Sequence, residues 1–316
     1  MNLLGDPAFR AVVLGLLAVL VVASVAGFAF AQRVTGESGR DTVANVNARI
    51  RSWWLMCAVF TAALLLGTMG VILLFALISF LTLREFITIT PTRRADHRTL
   101  VWVFFVFTPL QYYLVAIQWY GLFSILIPVY AFLFIPLLNA LAGDYQQFLD
   151  RTAKVQWGLM LCVYCVSHMP ALLTLRIPGF EEQGPKLLLY LALVAQSSDV
   201  LQYLWGKAIG RHRIAPTISP NKTWEGFLGG ILCATLLGTA LWWLTPFQPW
   251  QAALMAAAIT LTGFAGGLTL SAIKRDRGIK DYGALIEGHG GVLDRIDSLC
   301  FSAPLFFHLT RYFFQP

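Results

Sequence analysis

The chain has 316 residues, of which 58% are hydrophobic and 12% charged, and its formal net charge is +7. A soluble domain carries about 25% charged residues, so half that share excludes an ordinary water-solvated globule and requires an apolar solvent. With no soluble domain left to present a basic face, nucleic-acid binding is excluded as well, and the surplus of cations is read as topology and attraction to anionic lipid headgroups.

Taken in chain order, ten apolar runs are predicted to span a bilayer: 11–31, 53–68, 70–83, 100–118, 120–142, 155–177, 186–205, 226–245, 251–272 and 298–314. The expected fold class is therefore all-α, a polytopic transmembrane bundle of about ten helices. The first run ends in Ala29-Phe30-Ala31, which mimics a signal-peptide cleavage site. It is longer than the usual apolar region of about 7–15 residues, and Asp6 offsets Arg10 ahead of it, so a retained helix is expected. Segment 32–52 is too polar to span and reads as either an interfacial helix or a linker. The stretch 53–83 is broken only by Gly67-Thr68-Met69-Gly70, which leaves one long helix or two short ones.

Charge decides between them. With ten spans and both termini outside, nineteen of the 23 Lys and Arg residues fall in 32–52, 84–99, 143–154, 206–225 and 273–297. Arg10, Arg176, Lys186 and Arg311 are left on the other side, as the positive-inside rule requires. A single helix over 53–83 would put the arginines of 32–52 on the wrong side. Arg93-Arg94 with His97-Arg98 reads as a headgroup-facing loop. Five cysteines lie in or beside apolar runs, and Cys162-x-x-Cys165 inside one of them reads as packing rather than redox or zinc chemistry, so neither a disulfide nor a structural metal is expected there.

Two loops differ from the rest. In 206–226, Lys207, Arg211, Arg213 and Lys222 accompany Ser219, Thr223 and several glycines. Ser219-Pro220-Asn221-Lys222-Thr223 reads as the entry to the eighth helix, with Ser219 as N-cap and free N–H groups that favour an anion. The bland alternative, a capped helix beside a topology-setting loop, carries equal weight on the loop alone. In 271–298, Ser271, Lys274 and Arg275 share a helix face by their spacing. Lys280-Asp281 follows, then Gly288-His289-Gly290-Gly291, where backbone can approach a ligand closely. Asp294 and Asp297 sit one turn apart. Cations for phosphates beside carboxylates for a divalent metal are the ingredients of phosphoryl or nucleotidyl transfer. Asp199, an acid well inside an apolar span, is by default a site residue; the alternative is a structural partner of a buried basic or hydroxyl group.

These residues resemble the phosphatidate cytidylyltransferase (CDP-diacylglycerol synthase) family. Its C-terminal signature is matched by Ser271, Lys274-Arg275, Lys280-Asp281, His289-Gly290-Gly291 and Asp294-Arg295-x-Asp297. Ser219 to Gly226 is similar to the family's Ser-Pro-Lys-Lys-Thr-Trp-Glu-Gly, and Asp199 with Tyr203 and Gly206 to its Asp-x-x-x-Tyr-x-x-Gly. The match spans roughly residues 195–300; the N-terminal half agrees only in general hydropathy. The sequence departs at Gly267 and Leu270, where the family has Asp and Glu, and at Glu287, where proline is common. That Asp is a metal ligand in the family, and Asp199, Asp281, Asp294 and Glu287 are the carboxylates left to make up its loss.

The resemblance implies that CTP and phosphatidate are joined to CDP-diacylglycerol with release of pyrophosphate. It places Mg²⁺ on Asp281, Asp294 and Asp297, and phosphate oxygens on Lys222, Lys274, Arg275 and Lys280. His289 would orient CTP or the metal shell, and Asp199, Ser219, Asn221, Thr223, Ser271 and Arg295 would bind substrate. Residues 1–185 are then N-terminal membrane helices and 186–316 the catalytic membrane region. The expected partners are CTP, phosphatidate and the bilayer; a homodimer is compatible with this. The expected location is the bacterial inner membrane, with the site loops cytoplasmic. A CTP-dependent lipid kinase and a non-catalytic binder of CTP or anionic lipid are the rival readings. A transporter ranks below both, since paired broken helices in matching halves are not found.

Overall fold

The computed structural model describes residues 3–33 and 37–315. Among them ten helices carry the fold: α1 (Pro7–Arg33), α2 (Glu37–Leu65), α3 (Gly67–Thr88), α4 (Arg94–Ala116), α5 (Tyr120–Leu141), α6 (Phe148–Thr174), α7 (Gly184–Ile209), α8 (Trp224–Ala240), α9 (Pro249–Asp276) and α10 (Leu293–Phe314). Eight are long and apolar enough to cross a membrane; α8 is apolar but shorter, and α10 carries Asp294, Arg295 and Asp297 in its first turns. Leu14, Val19, Val22, Val25 and Phe28 of α1 turn most of their surface outward, as side chains do where lipid is the solvent. Helices satisfy their own backbone in such a solvent, which is why the polytopic, all-α expectation holds here. The exception is one hairpin, β1 (Arg213–Ala215) against β2 (Ser219–Thr223), antiparallel with Arg213 opposite Thr223 and Ala215 opposite Ser219.

The stretch 53–83 is two helices. Gly67 takes φ +79 between α2 and α3, a left-handed conformation that costs glycine little, and Phe60 meets Phe75 across the resulting hairpin, ring centroids 6.4 Å apart. From Glu37 onward the segment 32–52 is the polar first half of α2; its residues 34–36 lie outside the described residues. The expected N-cap Ser219 is corrected. Ser219 is spent on strand pairing, and Thr223, extended at φ −122 and ψ 156, caps α8 by accepting from the Gly226 N–H.

The basic loops gather at one end of the bundle. Arg51 of α2 pairs with Glu287, Arg93 and Arg151 share Asp144, and Arg275 donates to the Ile218 carbonyl. A buried chain from Thr99 through Asn139 to Thr152 ties α4, α5 and α6 together near that end. At the other end Asp6 caps α1 at the Ala8 and Phe9 N–H groups and pairs with Lys186 at 2.6 Å, while Arg176 and Arg311 lie beside Gln118 and Tyr120. The charge partition read from the sequence is thus a partition in space.

Candidate active site

The loop from Arg277 to Val292 joins α9 to α10 at the basic end. Its fold rests on one carboxylate. Asp294, in the first turn of α10, accepts from Lys274 Nζ at 2.9 Å, from the Tyr282 N–H at 2.8 Å and from the Gly291 N–H at 3.0 Å. Its side chain is only 2% exposed, so these donors stand where water would otherwise be. Tyr282 then donates its hydroxyl to the Leu270 carbonyl at 2.8 Å, fixing the loop onto α9. Glu85, from the end of α3, takes the free N–H groups of Val292 and Leu293 at 2.9 Å each, a carboxylate at the positive end of α10. The glycines around it make room: a Cβ on Gly291 would stand 2.6 Å from Glu85 Oε2.

Beside this loop opens a cavity of about 440 Å³, lined by Lys280, Asp281, His289 and Arg295 together with Asn45 and Arg49 of α2. Asp281 lies next to Asp294, since a Cβ on Gly290 would meet Asp281 Cγ at 3.3 Å and Asp294 Oδ2 at 3.0 Å. His289 stands edge-on to Trp53, and burial, then the nearby Arg295, pulls its pKa below the ordinary histidine value. Glu287 lines the cavity but is occupied by Arg51. Among the described residues, three cations stand against Asp281 and the Arg51-paired Glu287, so the cavity is positively charged.

A second cluster lies inward, between α7, β2, α9 and α10. Lys222 Nζ sits 4.5 Å above the Phe264 ring, and it would be 3.1 Å from a Cβ on Gly267; Asp297 Oδ2 would be 3.7 Å from the same point. Lys222 and Asp297 are therefore neighbours, with Asp199, Lys274 and Arg295 within electrostatic range. Burial pulls the Lys222 ammonium below its ordinary pKa, opposed by Asp199 and Asp297. Arg295 links the two clusters. It lines the cavity, acts on both acids, and its Nε is buried without a hydrogen-bond partner among the described residues.

The remaining residues expected at the site have local duties. Thr223 caps α8, and Ser271 donates to its own helix at the Gly267 carbonyl, 2.7 Å away. Arg275 spends Nε on the Ile218 carbonyl and Nη1 on the Ile279 carbonyl, clamping the β-hairpin and the loop to the end of α9. Ser219 and Asn221 lie on β2, Asn221 exposed. Asn45, Arg49 and Glu85 were not legible as site residues. In the sequence Arg49 reads as one of the topology-setting cations, and Glu85 as one acid at the edge of an arginine-rich loop.

Among the described residues no group of three or more His, Cys, Asp or Glu side chains is placed to hold a metal ion. Asp294 is already surrounded by donors. Asp281 is exposed, and Asp297 with Asp199 forms a pair of acids. Mg²⁺ usually takes one or two carboxylates and completes its shell with water and substrate phosphates. The residues thus fit a cation arriving with a nucleotide, not a preformed protein cage.

Fold and site together define a multi-pass membrane protein with a polar, cation-lined cleft at one end. The profile of the Cytidylyltransferase family matches residues 47–313, and the chain belongs to that family. It is 38% identical over 300 residues to the uncharacterized protein YnbB of Escherichia coli (strain K12), covering 94% of this chain and 96% of that one. It is 32% identical over 204 residues to a phosphatidate cytidylyltransferase of Staphylococcus haemolyticus (strain JCSC1435), covering 58% of this chain and 76% of the relative. A phosphatidate cytidylyltransferase of Staphylococcus aureus (strain COL) is 39% identical over 127 residues, covering 40% of this chain and 49% of the relative.

Proposed function

We propose that the protein transfers the cytidylyl group of CTP to phosphatidate, giving CDP-diacylglycerol and pyrophosphate. The observation that carries this reading is the juxtaposition of an anion-receiving cavity with the Lys222–Asp297–Asp199 cluster, bridged by Arg295. A phosphatidate phosphate oxygen attacks the α-phosphorus of CTP, forming a new P–O bond while the bond to the bridging oxygen breaks and pyrophosphate leaves with its electrons. Both reactants are anions, so their repulsion must be neutralised first. Lys280, Arg295 and Arg49 meet the nucleotide's phosphates in the cavity, and Lys222 and Lys274 carry positive charge inward.

Asp281 and Asp297 would hold Mg²⁺ brought by the triphosphate, which supplies charge neutralisation at the developing pyrophosphate. His289, whose pKa burial lowers, orients the ligand through a hydrogen bond. The phosphatidate relatives support the lipid substrate, and the gathered cations support a location in the bacterial inner membrane with this end in the cytoplasm.

The test uses the purified full chain in detergent with labelled CTP, phosphatidate and Mg²⁺. CDP-diacylglycerol is the expected product. Its absence with phosphatidate, together with CDP release when a polyprenol is supplied, would replace this reading with a lipid kinase.

A further inference from the structure

A second cavity, of about 370 Å³, opens at the opposite end of the bundle, where α4 turns into α5 and α10 ends. Its floor is apolar and buried: Leu114, Val115, Phe123 and Phe307 are each at most 3% exposed. Its rim is polar, and both of its charged groups are arginines. Among the described residues no carboxylate lines it, and no salt bridge to Arg176 or Arg311 is found.

The rim is held in place. Gln118, at φ +58, is one of the few non-glycine residues in the left-handed region, and its side chain accepts from Arg176 Nη2 at 2.9 Å. Such a backbone costs of order 1 kcal/mol and persists where the surroundings enforce it. The Arg311 guanidinium lies 3.7 Å from the centroid of the Tyr120 ring, so its fork is oriented as well. Two guanidinium groups fixed at one cavity mouth repel each other unless an anion joins them.

The level of the cavity identifies the anion's source. Trp119, Trp242, Trp243, Trp250 and Tyr312 all lie at this end and are all more than 40% exposed. Exposed Trp and Tyr residues collect at the headgroup layer. An apolar floor beneath a basic rim at that depth suits an amphiphile, and the volume falls at the lower end of the ligand-pocket range of about 300–1,000 Å³. That is enough for a headgroup and glycerol, with the acyl chains left in the bilayer.

We propose that this cavity is a lipid-phosphate site, in which Arg176 and Arg311 bind the phosphate of an anionic phospholipid in the leaflet opposite the candidate active site. It does not depend on the proposed reaction.

Native mass spectrometry of the purified full chain tests it, with dihexanoyl-phosphatidylglycerol, dihexanoyl-phosphatidylcholine and inorganic phosphate as probes. Arg176→Gln is the primary variant because Arg176 is exposed; Arg311→Lys, which keeps a cation over Tyr120, is the second. Wild type should retain phosphatidylglycerol about tenfold better than either variant, with no such difference for phosphatidylcholine. Equal retention of phosphatidylglycerol by wild type and Arg176→Gln would overturn the proposal. So would a loss that inorganic phosphate reproduces in full by competition, since the site would then serve a soluble anion.

Discussion

At Asp294 one carboxylate holds two distant backbone positions and a lysine in register. Removing one member of a buried ion pair leaves the other uncompensated, a cost of about 3–5 kcal/mol. Asp294→Asn keeps the shape but not the charge. We expect a lower thermal midpoint in detergent and a fall in kcat/KM of more than tenfold; a variant with wild-type midpoint and turnover would remove Asp294 from this role. Arg49 presents the opposite case. It is exposed and, among the described residues, donates to Asn45 within its own helix, so Arg49→Ala should leave the midpoint unchanged. If it meets a nucleotide phosphate, the loss of a charge-assisted hydrogen bond worth about 1.5–3 kcal/mol raises the KM for CTP tenfold or more. A KM that does not move would place the nucleotide elsewhere in the cavity.

At the scale of elements, the β-hairpin is held to α8 by Glu225, which accepts from the Arg211 and His212 N–H groups and from His212 Nδ1. The His212 contact and these backbone donors bring its pKa from an ordinary 4.5 to about 2. A carboxylate with a depressed folded pKa stabilises the fold above its unfolded value and loses that contribution as pH falls through the folded one. The hairpin is therefore expected to resist pepsin at pH 4.5 and to be cut within 206–224 as pH approaches 2. His212→Ala should move the onset of cleavage to higher pH. Sequence spacing puts Ser219 to Thr223 at the entry to the eighth helix, with Ser219 as its cap, whereas the helix starts at Trp224 with Thr223 as its cap. Ser219 and Thr223 are both good caps in isolation, and the choice fell to pairing with Arg213–Ala215, a contact that no local preference encodes.

At the scale of the whole molecule, the five basic loops share one end and the four remaining cations lie toward the other. An alkaline phosphatase fused after Gly179 should be active, and one fused after His212 inactive; the reverse pattern would invert the orientation. The helices at 1–185 are not merely a scaffold for the C-terminal region, because α2 lends Asn45 and Arg49 to the cavity wall and α3 lends Glu85 to the start of α10. The sequence by itself determined the helix count, the break at Gly67, the separation of charge and the two loops rich in charge and glycine, since hydrophobic run length and charge asymmetry act locally against a bilayer. Only the tertiary structure decided that Asp294 binds its own loop, that Lys222 stands beside Gly267, and that Arg49 joins the site. Those outcomes depend on which helices pack side by side, and the bilayer imposes the same apolar surface on every one of them.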